Sequence, residues 1–332
     1  MFVKDLDMPK EIRENMVAGG IKELNPPQKK AVEKGLLEYR NLVVASPTAS
    51  GKTLIAELAF LKTIMEKRMK AIYIVPLKAL AYEKYEDFSR YKEFGVKVGM
   101  SVGDYDSPDN WLANQDLIIV TVEKLDSILR HNPIWTKEIG LVIADEIHLL
   151  NDPGRGPTLE VVLTKLKKDT KSQIIGLSAT INNAMDIAQW LDAGLVKSDY
   201  RPVKLYEGVY DGERVRFLAK QDMNIGGETA MQGGEILISE QTVSRGKQAL
   251  VFLSSRRNSE KSAEDIGRFV EKYLTAEEKK ELAELAEKIL SVPSQPTKQC
   301  KRLAGCVKKG SAFHHAGLQN KQRTLVLSLI HI

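Results

Sequence analysis

Long apolar runs are missing from this 332-residue chain. None reaches 18 residues, and the opening MFVKDLDMPKEIRE has no apolar stretch of the kind a signal peptide carries. The expectation is a protein that neither crosses a membrane nor is secreted, and that works in the cytoplasm. Cysteine is scarce as well. Cys300 and Cys306 are the two, six residues apart, without metal-ligand spacing and on different sides of any helix that carries both, so free thiols are expected. A strong charge of one sign is also lacking, since net charge is only +5. Residues 1–200 hold 27 basic and 28 acidic side chains, against 22 and 16 from Arg201 onward, so the second part alone leans basic. That is a mild hint of a polyanionic partner, far weaker than a basic stripe, and a solvated surface is the better explanation.

What is present is an ordinary globular composition, 43% apolar and 28% charged, in a chain long enough for two cores. The stretch NLVVASPTASGKTLIAEL, Asn41 to Leu58, reads as a buried strand, a tight loop and a helix start. Thr48, Ala49, Ser50, Gly51, Lys52 and Thr53 fall where a phosphate-binding loop would turn into its helix. Backbone N–H groups at such a helix start face a phosphate chain, Lys52 would reach its terminal phosphates, and Thr53 a magnesium ion. The first glycine of the general pattern is absent, since Ser46 stands there, and Ala49 replaces another glycine common in such loops. A small-residue turn capping a helix is the competing reading.

Around this loop, strand-length runs alternate with helical patterns: Ala71 to Val75, Asp116 to Val120, Leu141 to Ala144 and Gln173 to Leu177. Runs rich in Ile and Val, separated by helices, predict a parallel α/β sheet whose ligands lie beyond the carboxyl ends of the strands. One run delivers Asp145 and Glu146, the first suited to holding a metal through water and the second to orienting an attacking water, although a helix cap with first-turn charge gives the same pattern. Another delivers Ser178-Ala179-Thr180. Gln28, ahead of the loop, could meet an adenine edge with both amide atoms. Loops at Pro76 to Leu80, Ser101 to Asp104 and Thr121 to Lys124 offer hydroxyls and lysines suited to a phosphodiester backbone.

Beyond Arg201 a Gly-rich polar stretch, Asn224 to Gly234, predicts a connecting loop. Ala249 to Leu253 predicts a buried strand, followed by charged helices with Leu282, Leu285, Ile289 and Leu290 on one apolar face. The ordered set Gln28, PTASGKT, PLKAL, TVEK, DEIH, SAT, RPV, LVFLSSRR and FHHAGL resembles superfamily 2 nucleic-acid helicases, and within them the Ski2-like archaeal Hjm-type DNA repair helicases. The resemblance implies two RecA-like domains, 1–200 and 201–332, with parallel sheets flanked by helices, the second incomplete. It implies an ATP- and Mg2+-dependent motor moving 3′ to 5′ on single-stranded or forked DNA. It places adenine contact on Gln28, phosphate on Lys52, metal on Thr53 and Asp145, and the general base on Glu146. His148, Ser178 and Thr180 would couple hydrolysis to motion, and Lys78, Thr121, Arg256 and Gly317 would touch nucleic acid.

The family's arginine-finger motif has no match after Gly317, and the last residues, Leu325 to Ile332, depart from the family pattern, which suggests a truncated or frame-shifted product. An incomplete motor that binds ATP and DNA without unwinding is the leading expectation. A nucleotide-gated binding module without turnover and an RNA helicase of the same group are the alternatives. Oligomeric state is not readable from these motifs.

Overall fold

The computed structural model describes residues 1–103, 109–225 and 233–329. Asp104, in one of the expected backbone-contacting loops, lies outside the described residues, as does most of the Gly-rich stretch. The chain divides into two compact units, Met1–Lys204 and Leu205–Ile332.

In the first unit the strands are β1 (Leu42–Ala45), β2 (Lys70–Val75), β3 (Val98–Ser101), β4 (Leu117–Thr121), β5 (Ile139–Ala144), β6 (Gln173–Ser178) and β7 (Gly194–Lys197). They form one sheet in the order β3-β4-β2-β5-β6-β1-β7, and all its ladders are parallel. The helices are α1 (Lys10–Ala18), α2 (Pro26–Glu33), α3 (Lys52–Lys67), α4 (Lys78–Ser89), α5 (Val122–His131), α6 (Gly156–Asp169) and α7 (Ala184–Trp190).

Successive strand residues point to opposite faces, and the two cores sort accordingly. Leu42, Val44, Tyr73, Val75, Ile143 and Leu177 pack with α1 to α4, whereas Val43, Ile72, Ile74, Val142 and Ile174 pack with α5 to α7. Burial on both faces is why these strands read as unbroken apolar runs rather than alternating ones. The α/β class expected from the sequence holds here. Chain direction then puts the carboxyl ends of β1, β2, β4, β5 and β6 on one edge, where the candidate residues follow.

The second unit contains β8 (Gly208–Tyr210), β9 (Arg214–Phe217) and β10 (Met223–Asn224), an antiparallel sheet in the order β10-β9-β8. Five helices follow in the described residues: α8 (Gly234–Val243), α9 (Arg256–Val270), α10 (Ala276–Ser291), α11 (Lys298–Lys308) and α12 (Asn320–Ser328). Leu282, Leu285 and Ile289 are buried against Leu303, Val307 and Phe313, as their spacing predicts. Cys300 and Cys306 are both free and buried in α11, and burial pushes the Cys306 thiol up to about 11.

The buried strand expected at Ala249 to Leu253 is corrected. The segment has no ladder partner among the described residues, and Leu250 and Phe252 are 81% and 87% exposed. A strand needs a neighbour for its N–H and C=O groups, and β8 to β10 pair only with one another. Backbone amides of 249–253 are therefore expected to exchange within seconds in a hydrogen-deuterium experiment, while those of β2, β5 and β6 stay protected. Equal protection of the two sets would contradict this packing.

Candidate nucleotide site

The phosphate loop folds because three contacts hold a short turn between β1 and α3. Ser46 and Ser50, both buried, share a 2.7 Å hydrogen bond between their hydroxyls. The serine that stands in for the pattern's first glycine thus closes the loop. Ala49 adopts φ +64° and Gly51 φ +84°, the left-handed turns that bring the chain into the helix. A Cβ on Gly51 would lie 2.4 Å from Gln28 Nε2 and 2.8 Å from Asn25 Nδ2, so no larger residue fits that packing. Thr48 and Ala49 are exposed on the outside of the turn.

The other two contacts come from α2 and its cap. Asn25 caps this helix, with Pro26 opening it and Gln28 completing a capping box. Asn25 Nδ2 donates to Ser50 O at 2.8 Å, and Gln28 Nε2 to Gly51 O at 3.1 Å. Gln28 Oε1 meanwhile accepts from the Asn25 backbone N–H at 2.9 Å. Nε2 of Gln28 therefore clamps the loop while Oε1 completes the cap of α2, and meeting an adenine edge would require exchanging these bonds.

Lys52 opens α3 and points its ammonium back into the loop, donating to Ser46 O at 2.8 Å and Pro47 O at 3.0 Å. Burial lowers its pKa, and the charges of Glu146 and Asp145 oppose that fall. The lysine therefore lies within electrostatic reach of both carboxylates at the end of β5. Asp145 Oδ1 accepts from the Glu146 N–H at 3.0 Å. Glu146 itself sits at φ +54°, a left-handed conformation that costs a non-glycine residue about 1 kcal/mol or more. His148 Nδ1 lies 3.3 Å from both Glu146 Oε2 and Ser178 Oγ, so one ring joins the acid pair to the end of β6. Thr180 is exposed two residues on.

Thr53 and Asp145 offer a hydroxyl and a carboxylate, hard oxygen donors that suit Mg2+. Among the described residues no group of three His, Cys, Asp or Glu side chains gathers to hold a metal unaided. The donor set thus fits an ion completed by phosphate oxygens and water. A wide hollow of about 830 Å3, lined in part by Lys34, Arg40, Lys171 and Gln173, opens at the amino ends of β1 and β6 and contains none of these groups.

The candidate nucleic-acid residues are placed unevenly. Lys78 is exposed at the start of α4, and a Cβ on Gly103 would lie 3.1 Å from its Nζ. Thr121 ends β4, buried, with its hydroxyl unpartnered among the described residues. Lys124 is corrected: it is 1% exposed and paired with Asp109 at 3.1 Å, so it braces the fold instead of facing a ligand. In the second unit, Arg256 and Gly317 are neighbours, since a Cβ on Gly317 would lie 3.6 Å from Arg256 Nη1. His315 organises that loop, with Nε2 3.1 Å from Glu260 Oε1 and Nδ1 accepting from the Gly317 N–H at 3.1 Å. His315 thus has structural partners, and among the described residues no metal-binding group forms around the adjacent histidines. Asn25, Tyr73 and His315 were not singled out from the sequence; the signal for Asn25 was its place before two prolines and three residues ahead of Gln28.

Sheet topology, loop and acid pair together have the arrangement of an α/β nucleotide-binding protein, with the candidate site on the carboxyl edge of a parallel sheet. A DEAD/DEAH box helicase profile matches residues 25–187, so this part of the chain carries a DEAD/DEAH box helicase domain. It is 45% identical to the ATP-dependent DNA helicase Hel308 of Methanocella arvoryzae, an alignment covering 98% of this chain and 44% of the relative. The ATP-dependent DNA helicase Hel308 of Pyrococcus abyssi is 46% identical, with 98% and 44% covered, and that of Methanocaldococcus jannaschii 46%, with 92% and 26%. The chain spans less than half the length of these relatives. No helix among the described residues is long and apolar enough to cross a membrane.

Proposed function

We propose that this chain is the ATP-hydrolysing part of a DNA helicase of repair and recombination. The observation that carries the reading is the convergence at one sheet edge of Lys52, whose ammonium turns back into the loop, with Asp145 and Glu146, whose charges oppose the fall that burial imposes on its pKa. In this reading Lys52 exchanges its carbonyl acceptors for phosphate oxygens, and the loop N–H groups hold the phosphate chain. A bound Mg2+ would sit between Thr53, Asp145 and the phosphates and offset their charge. Glu146 takes a proton from the attacking water as the water oxygen bonds the γ-phosphorus. The γ-phosphorus bond to the bridging oxygen breaks, and ADP departs with the electron pair. His148, touching both Glu146 and Ser178, passes the change at the γ-phosphate to β6, with Thr180 beyond it.

Single-stranded or forked DNA is the proposed track, met at its phosphates by Lys78, Arg256 and Gly317, with Thr121 buried at the end of β4. Such contacts do not distinguish DNA from RNA, so both are used in the test. The purified chain is expected to bind oligonucleotides with an affinity that falls steeply with salt, and to hydrolyse ATP faster with single strands than without. Lys78→Ala and Arg256→Ala should each lower the log–log salt slope by roughly 0.7, the share of one single-strand phosphate contact. Unchanged slopes would remove both residues from the interface, and a preference for RNA in both assays would favour the RNA reading.

A further inference from the structure

Tyr73 is one of the largest fully buried side chains, yet it carries a hydroxyl into the core. Its ring packs edge-on against Phe88, with centroids 5.2 Å apart. The hydroxyl donates to Asp145 Oδ2 at 2.8 Å. Sheet register explains the meeting. Tyr73 pairs with Ile143 across the β2–β5 ladder, and Asp145 lies two residues further along the same face, within reach of a tyrosine on the diagonal. Asp145 then has one oxygen held by the Glu146 N–H and the other by Tyr73, so the plane of the carboxylate is fixed before any ligand arrives.

We infer that Tyr73 is a positioning residue for the carboxylate that serves Mg2+, acting through Asp145 and touching neither metal nor nucleotide. The inference rests on the nucleotide reading above and deepens it. An ion that demands near-octahedral geometry gains most from a ligand that cannot swivel, and an outer hydrogen bond of this kind changes metal affinity by about 10- to 100-fold when removed. Aliphatic residues at this buried strand position would support the sheet as well, but only a phenol brings a donor to that oxygen.

The test uses the 332-residue chain as wild type, Tyr73→Phe, Asp145→Asn and the double variant. Free Mn2+ is followed by electron paramagnetic resonance during titration in saturating ADP, and ADP affinity is measured separately by calorimetry in EDTA. Tyr73→Phe keeps the ring and is expected to raise the apparent Kd for Mn2+ about 10-fold, leaving ADP affinity in EDTA unchanged. In the Asp145→Asn background the same change should add nothing. If Asp145→Asn weakens Mn2+ binding and Tyr73→Phe does not, the positioning role is overturned and the nucleotide reading stands. If neither variant alters Mn2+ binding, both fall. A Tyr73→Phe chain that fails to fold, or that loses ADP affinity in EDTA, would show that the hydroxyl supports the core and would also overturn the inference.

Discussion

Glu146→Gln is expected to bind ATP as wild type does and to lose hydrolysis by about 10²- to 10⁴-fold, the usual worth of a positioned general base. Glutamine has the same shape and can keep the left-handed backbone at φ +54°, so the loss reports on proton acceptance rather than on folding. Lys52→Ala is expected to fail one step earlier. The ammonium makes its bonds in the loop, and a charge-assisted contact to phosphate is worth about 1.5–3 kcal/mol, or roughly 10- to 150-fold in affinity. Its removal also leaves Asp145 and Glu146 facing the phosphates without an opposing charge. Binding measured by calorimetry and hydrolysis by phosphate release separate the two effects. Unchanged ATP affinity in Lys52→Ala, or wild-type turnover in Glu146→Gln, would withdraw the assigned role.

A second large effect is expected from one methyl group. Gly156 opens α6, and a Cβ there would lie 2.3 Å from Leu150 O, 2.9 Å from Leu150 C and 3.0 Å from Leu149 O. These are backbone atoms of the 3-10 turn Ile147–Asn151, which no rotamer change can withdraw. Gly156→Ala should therefore cost about 3 kcal/mol, at the upper end for overpacking. It should also displace His148 from Glu146 and Ser178 and lower hydrolysis. Gly176→Ala is the control. There the clash is with Ile147 Cδ1 at 2.6 Å, the tip of a side chain that can turn, so about 1 kcal/mol is expected. Urea denaturation of both variants tests the ordering, and equal costs would show that the turn is softer than its packing implies.

The first unit was legible to the extent that its strands are central. The four runs read from Ala71 to Leu177 match β2, β4, β5 and β6 within two residues, and the Leu42 to Ala45 run matches β1. Burial on both faces writes an unbroken apolar signature. Edge strands write a weaker one: β3 was only implied by the loop after it, and β7, Gly194–Lys197, half-buried with an exposed end, was not read. Ala249 to Leu253 carried the central signature without a neighbour to pair with, and pairing is not a local property. At the site, side chains that chemistry requires were visible, and those that hold them were not. Tyr73 touches Asp145 only through sheet register, and Gln28 turns inward because Asn25 and Gly51 present partners across a fold the motif does not encode.

The position of β1 between β6 and β7 bears on how the chain is made. The strand that carries the phosphate loop ends at Ala45, but its ladder partners begin at Gln173 and Gly194. A ribosome adding ~5–20 residues per second leaves that apolar strand without its neighbours for on the order of ten seconds. Until then α3 has no completed sheet to dock on, and the nascent chain shows an adhesive edge. Nucleotide cannot therefore act as an early folding template for this domain. It can stabilise only what synthesis has nearly completed.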